Sequence, residues 1–141
     1  MKTAGLLGGM SYESTIQYYK LINKKINNRL GNLNSAKILL YSFNFEEIEA
    51  LQRNGEWDKS GDLMGVQAKH LQDANADFIA ICTNTMHKLI DNINKHINID
   101  ILHISDAVGT EIKKHNLKNV LLLGTKFTME EDFYKKIMVE K

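Results

Sequence analysis

Asp77-Phe78-Ile79-Ala80-Ile81-Cys82-Thr83-Asn84-Thr85-Met86-His87-Lys88 is the stretch on which the fold turns. Phe78 to Ile81 form a short apolar run of the kind a parallel strand buried on both faces requires. The run ends at the only cysteine in the sequence. Thr83, Asn84 and Thr85 are helix-capping residue types, and Leu89, Ile90 and Ile93 then recur at helical spacing. A thiol at the carboxyl end of a strand, beside a helix N-terminus, sits where open α/β sheets bind ligands. The positive end of the helix dipole favours thiolate there. Cys82 is therefore a candidate nucleophile or proton-transfer group, expected to open onto solvent beside the polar caps. The alternative is a small buried hydrophobe.

Outward from this stretch the pattern alternates. Thr3 to Leu7 read as a strand running into Gly8-Gly9-Met10-Ser11. Ser11 is placed to cap a helix whose apolar face (Ile16, Tyr19, Ile22, Ile26) continues to about Leu30. Ala36 to Tyr41 form a second strand, Glu46 to Gln52 a short helix, and Trp57 to Asn75 a long one. A helix from Thr85 to about Lys95 follows the central strand. A weaker strand at Ile99 to Ile104, a helix from Ser105, a strand at Asn119 to Leu123 and a helix near Thr128 complete the chain. This alternation predicts an α/β fold, a parallel sheet in a three-layer sandwich with helices on both faces. Leu6-Leu7-Gly8-Gly9 and Leu122-Leu123-Gly124-Thr125 are similar strand ends. They predict two similar α/β domains, the first over residues 1–104 and the start of the second over 105–141.

The 141 residues, 43% hydrophobic and 25% charged, suit a soluble globule. A net charge of +1 gives no electrostatic case for nucleic acid or an anionic membrane. No apolar run approaches the roughly 20 residues of a membrane span. The glycine-interrupted N-terminus is a poor signal peptide, so the cytoplasm is expected. A single cysteine makes no internal disulfide. His70, His96, His103 and His115 lack metal-ligand spacing, so no metal is expected.

Other candidates carry two readings each. Gly5-Leu6-Leu7-Gly8-Gly9 is either an amide cradle for an anion or a plain turn; it lacks the dinucleotide and P-loop spacings. Cys82 and Lys88 share the spacing of a phosphatase loop, but lysine lacks the bidentate grip of arginine. His87 reads as a partner of Cys82 or as a first-turn cap. Gln52 with Arg53 reads as a carboxylate clasp or a solvated helix end. Glu46, Glu47 and Glu49 read as a solvated face.

Gly5-Leu6-Leu7-Gly8-Gly9-Met10-Ser11-Tyr12-Glu13-Ser14-Thr15 resembles the N-terminal signature of the aspartate/glutamate racemase family. Ile81-Cys82-Thr83-Asn84-Thr85-Met86-His87-Lys88 resembles its first catalytic-cysteine motif, and Leu122-Leu123-Gly124-Thr125-Lys126-Phe127-Thr128-Met129 the opening of its second domain. The resemblance implies a cofactor-independent amino-acid racemase with two pseudosymmetric domains. Each domain supplies one cysteine to the cleft, one removing the α-proton and the other returning a proton to the opposite face. Carried over, Cys82 is the first proton-transfer cysteine. Met10, Ser11, Gln52, Thr83, Asn84 and Thr85 are substrate-binding, and Arg53 neighbours them. The implied partner is a small amino acid; family members are often homodimers.

The second cysteine of the family, in a Gly-Cys-Thr-Glu motif, belongs past residue 141. The chain thus reads as a truncated racemase, inactive alone. The alternatives are a single-cysteine decarboxylase or isomerase of the same superfamily, or a non-catalytic anion or amino-acid binding module.

Overall fold

The computed structural model describes residues 1–140. Strands β1 (Thr3–Gly8), β2 (Lys37–Ser42), β3 (Phe78–Ile81) and β4 (Ile101–Leu102) form one four-stranded sheet in the order β2-β1-β3-β4. Every pairing is parallel. The expected parallel α/β architecture is therefore present. Parallel neighbours need crossovers, and helices provide them: α1 (Tyr12–Leu30) joins β1 to β2, while α2 (Phe45–Arg53) and α3 (Trp57–Asp73) join β2 to β3. The chain moves outward on one side of β1 and then crosses to the other. The carboxyl ends of β1 and β3 therefore flank a topological switch point, the place where such sheets leave a crevice.

Side-chain alternation divides the core. Leu7, Ile79 and Ile81 pack with Met64, Ala68 and Leu71 of α3 and with Ile48 of α2. Ala4, Leu6 and Cys82 point to the other face, under Tyr18 and Ile22 of α1. A period of two in a strand produces this division. Helices α5 (Ile104–Lys114), α6 (Lys126–Glu130) and α7 (Asp132–Glu140) follow β4. An apolar hollow of about 540 Å³, lined among others by Leu6, Tyr18, Ala80, Leu102 and Ile104, lies on the α1 face.

The structure departs from expectation in two places. The helix expected from Thr85 to Lys95 is a 3-10 turn (Thr85–Leu89) followed by the short α4 (Ile90–Ile93). The tighter winding accompanies a turn whose Thr85, Met86, His87 and Leu89 are all buried. Residues 119–123 form no strand. Their apolar sequence is strand-like, but Leu121 is 83% and Leu123 74% exposed. Among the described residues the sheet ends at β4 and offers this segment no neighbour.

Candidate active site

The parallel register brings three loops to one sheet edge. Leu7 lies level with Ile81 and Gly8 with Ser42. The segments Gly9–Ser11, Phe43–Asn44 and Cys82–Thr85 therefore leave the sheet side by side. Gly9 has φ +85°, and a Cβ there would fall on the backbone of Phe43. Only glycine permits both the left-handed turn and that approach. The Phe43 N–H donates to the Gly8 carbonyl at 3.0 Å.

Sequence reasoning missed the residue that organises this turn. Thr15 is buried; its Oγ1 accepts from the Gly9 N–H at 2.9 Å and donates to the Ser11 carbonyl at 3.0 Å. Ser11 occupies the N-cap of α1 but makes no side-chain cap hydrogen bond. Its hydroxyl instead holds the exposed Glu13 carboxyl below its ordinary pKa. Met10 is 5% exposed and belongs to the α3-side core.

The backbone of Cys82 is fixed from both sides. Its N–H donates to the Leu7 carbonyl at 2.9 Å, and its carbonyl accepts from Ser14 Oγ at 2.8 Å. The side chain contradicts the expected opening onto solvent. Cys82 is 1% exposed, packed with Ala4 and Leu6. Burial pushes its thiol up to about 12. The alternation of β3 continues one residue past the strand and turns Cys82 inward after Ala80. Desolvation of the anion then outweighs the helix-end charge, which is worth at most about 2 kcal/mol even in partly buried geometry. The short 3-10 turn also supplies a weaker dipole than the expected helix.

The polar residues after Cys82 diverge in role. Thr85 Oγ1 lies 3.0 Å from Thr125 Oγ1, which in turn lies 3.2 Å from Thr128 Oγ1. The Asn84 side-chain oxygen is buried with no hydrogen-bond partner among the described residues. Gln52 Nε2 reaches Met86 Sδ at 3.5 Å, so Gln52 meets the turn that follows Cys82. Arg53 does not join it: exposed, it pairs with Glu49 at 2.7 Å, as the solvated-helix reading has it.

His87 does not serve as a partner of Cys82. Its Nδ1 lies 2.8 Å from the Thr83 carbonyl and 3.2 Å from that of Asn84, so it donates to main chain. Its Nε2 accepts from the Ile104 N–H at 3.2 Å. These bonds require the neutral Nδ1–H tautomer. Burial, with His103 4.7 Å away ring to ring, holds its pKa down at about 4. His87 thus ties the Cys82 turn to the start of α5. Sequence reasoning also missed Thr125 and Thr128 as site residues; their signal is the Leu-Leu-Gly of residues 122–124, shared with the first strand end at residues 6–8.

Comparison with known proteins agrees with this geometry. The family model of Asp/Glu/hydantoin racemases matches residues 7–140. The broad specificity amino-acid racemase RacX of Bacillus subtilis is 26% identical over 137 residues, which cover 95% of this chain and 59% of RacX. A Yersinia pestis protein assigned as an Asp/Glu racemase superposes with a TM-score of 0.93 at 47% identity, over 99% of this chain and 61% of its own. An aspartate racemase homologue from Pyrococcus horikoshii OT3 gives 0.87 at 36% identity, again over 99% and 61%. The chain thus spans about three-fifths of the length of these relatives. The parallel sheet, the switch point and the matched residues lead to one assignment: the chain belongs to the Asp/Glu/hydantoin racemase family.

Proposed function

We propose that this chain carries one side of the catalytic site of a pyridoxal-independent racemase for aspartate- or glutamate-type amino acids. Beyond family membership, one observation carries the reading: the buried, unpartnered amide oxygen of Asn84, two residues from Cys82 at the switch point. A buried acceptor without a donor costs about 1–3 kcal/mol. The ammonium group of an amino acid is a donor that removes this cost. Thr83, Thr85 and Gln52 supply donors for carboxylate oxygens, and Ser11, beside the core-packed Met10, walls the other side of the switch point.

Cys82 is the proton-transfer group. Once the turn above it moves and the thiol releases its proton to solvent, the thiolate takes the α-proton: the Cα–H bond breaks, an S–H bond forms, and the electron pair stays on the substrate. Inversion requires a second acid to protonate the opposite face. Cys82 is the only cysteine in the sequence, so a second thiol comes from outside these residues. Residues 105–140 are read as the start of the second unit that contributes it. This chain alone is then expected to exchange the α-hydrogen without inverting the centre. Carbanion charge falls on the fixed donors of the turn.

The sealed sulfur supports a second reading, an amino-acid binding module in which Cys82 only packs. Two measurements on the 141-residue chain decide between them: wash-in of deuterium at Cα of aspartate and glutamate in D₂O, and calorimetric binding of those amino acids to the wild type and to Cys82→Ser. The racemase reading expects both, with wash-in lost in Cys82→Ser. Binding that is unchanged in Cys82→Ser, without wash-in, establishes the module. No wash-in and no binding overturns both.

A further inference from the structure

Lys88 closes the stretch that resembles the cysteine motif, yet the proposed reaction gives it no role. Its side chain is only 18% exposed. The ammonium lies 3.8 Å from the centroid of the Trp57 ring and 5.4 Å from that of Phe127. Those rings meet edge to face, with centroids 5.1 Å apart. The same ammonium pairs with both carboxylate oxygens of Glu131, at 2.9 and 2.7 Å. Three separated segments therefore converge on one cation: the start of α3, the turn after Cys82, and residues 127–131. A cation desolvated against an aromatic face and paired with a carboxylate holds its neighbours more firmly than an exposed ion pair does.

We propose that Lys88 is a positioning residue, the pin of a clasp that seats residues 125–131 on the turn carrying Thr83, Asn84 and Thr85. The clasp lies one helical step from the hydroxyl pair. Lys88 follows Thr85 by three residues, and Phe127 and Glu131 flank Thr128 on the segment capped by Thr125. Holding this segment down sets the 3.0 Å Thr85–Thr125 contact. Without the pin, α6 is a helix of five residues held by its Thr125 cap, the buried Thr128 and the Phe127–Trp57 ring contact; so short a helix does not persist on its own. The clasp fixes which side of the Cys82 turn faces a bound amino acid. Only this last consequence rests on the racemase reading.

Trp57 is the only tryptophan in the sequence, so its emission reports the clasp without a label. The test compares Lys88→Met, Glu131→Gln and Lys88→Arg in the whole chain. Lys88→Met and Glu131→Gln are expected to shift Trp57 emission, to displace the amide resonances of Thr85 and Thr125, and to weaken aspartate or glutamate binding about tenfold. Lys88→Arg is expected to restore all three, because a guanidinium stacks on the indole and grips the carboxylate bidentately. Unfolding midpoints are measured alongside, and Glu131→Gln serves if Lys88→Met does not fold. Emission and Thr125 resonances unchanged in Lys88→Met and Glu131→Gln overturn the clasp. Failure of the wild-type chain to bind any acidic amino acid, with the emission and amide changes as expected, overturns the racemase reading and leaves the clasp standing.

Discussion

The imidazole of His87 is neutral because burial and its His103 neighbour make the cation costly, and this sets how stability runs with pH. Its folded pKa, about 4, lies below the ordinary histidine value of 6.5. Between those values the unfolded chain binds a proton that the folded chain does not. Stability therefore falls as pH drops through that window and levels off below it, by roughly 3 kcal/mol in all. His103 is depressed in the same direction, also chiefly by burial, and adds to the slope. Urea denaturation of the wild type and His87→Leu between pH 7 and pH 4 checks this. The wild type is expected to lose stability more steeply, and parallel curves would contradict the assignment. At this scale the strand end that carries Cys82 was legible in the sequence, but the state of its thiol was not. The strand end marked Cys82. Its burial follows from strand alternation carried one residue further, and its raised pKa follows from that burial. His87 was ambiguous in the sequence because its acceptors are main-chain carbonyls and its donor is an amide of a distant helix.

The turn between β1 and α1 shows how one hydroxyl can fix two elements. Thr15 Oγ1 satisfies the buried Gly9 N–H and caps back onto the part-buried Ser11 carbonyl. Thr15→Val keeps the shape and removes the bonds, leaving a buried N–H unpaired. It is expected to destabilise the chain by about 1–3 kcal/mol, whereas Thr15→Ser should retain most of the stability. A lowered urea midpoint at unchanged m-value is the signature; equal midpoints for the valine and serine variants would rule out the hydroxyl as organiser. The glycine pair announced the turn in the sequence. Thr15 did not stand out, since a threonine in a first helical turn has ordinary reasons to be there. Among the other elements, α1, α2 and α3 and the three main strands were legible from periodicity and turn residues. The Thr85–Leu89 turn was not, because 3-10 and α windings share nearly the same residue preferences over five positions.

On the scale of the whole molecule, the face around residues 117–123 stands apart from the rest. Val120, Leu121 and Leu123 are exposed on an extended segment with no ladder, next to an apolar groove formed with α5 and α7. An exposed apolar segment of this kind invites association. The 141-residue chain is expected to bind a hydrophobic dye and to self-associate as concentration rises, with Leu121→Lys and Leu123→Glu together suppressing both. Light scattering and dye fluorescence check this, and a double variant that associates like the wild type would point to another surface. The strand expected at 119–123 was legible in its residue types. A strand exists only in company, however, and the sequence of these residues does not supply the neighbour. The sealed thiol of Cys82 has a consequence for durability. Peroxide attacks thiolate, and it must reach the sulfur to form the sulfenic acid that leads on to irreversible oxidation. In the resting conformation Cys82 is neither ionised nor within reach, so the chain's one oxidisable thiol is shielded until the turn above it moves.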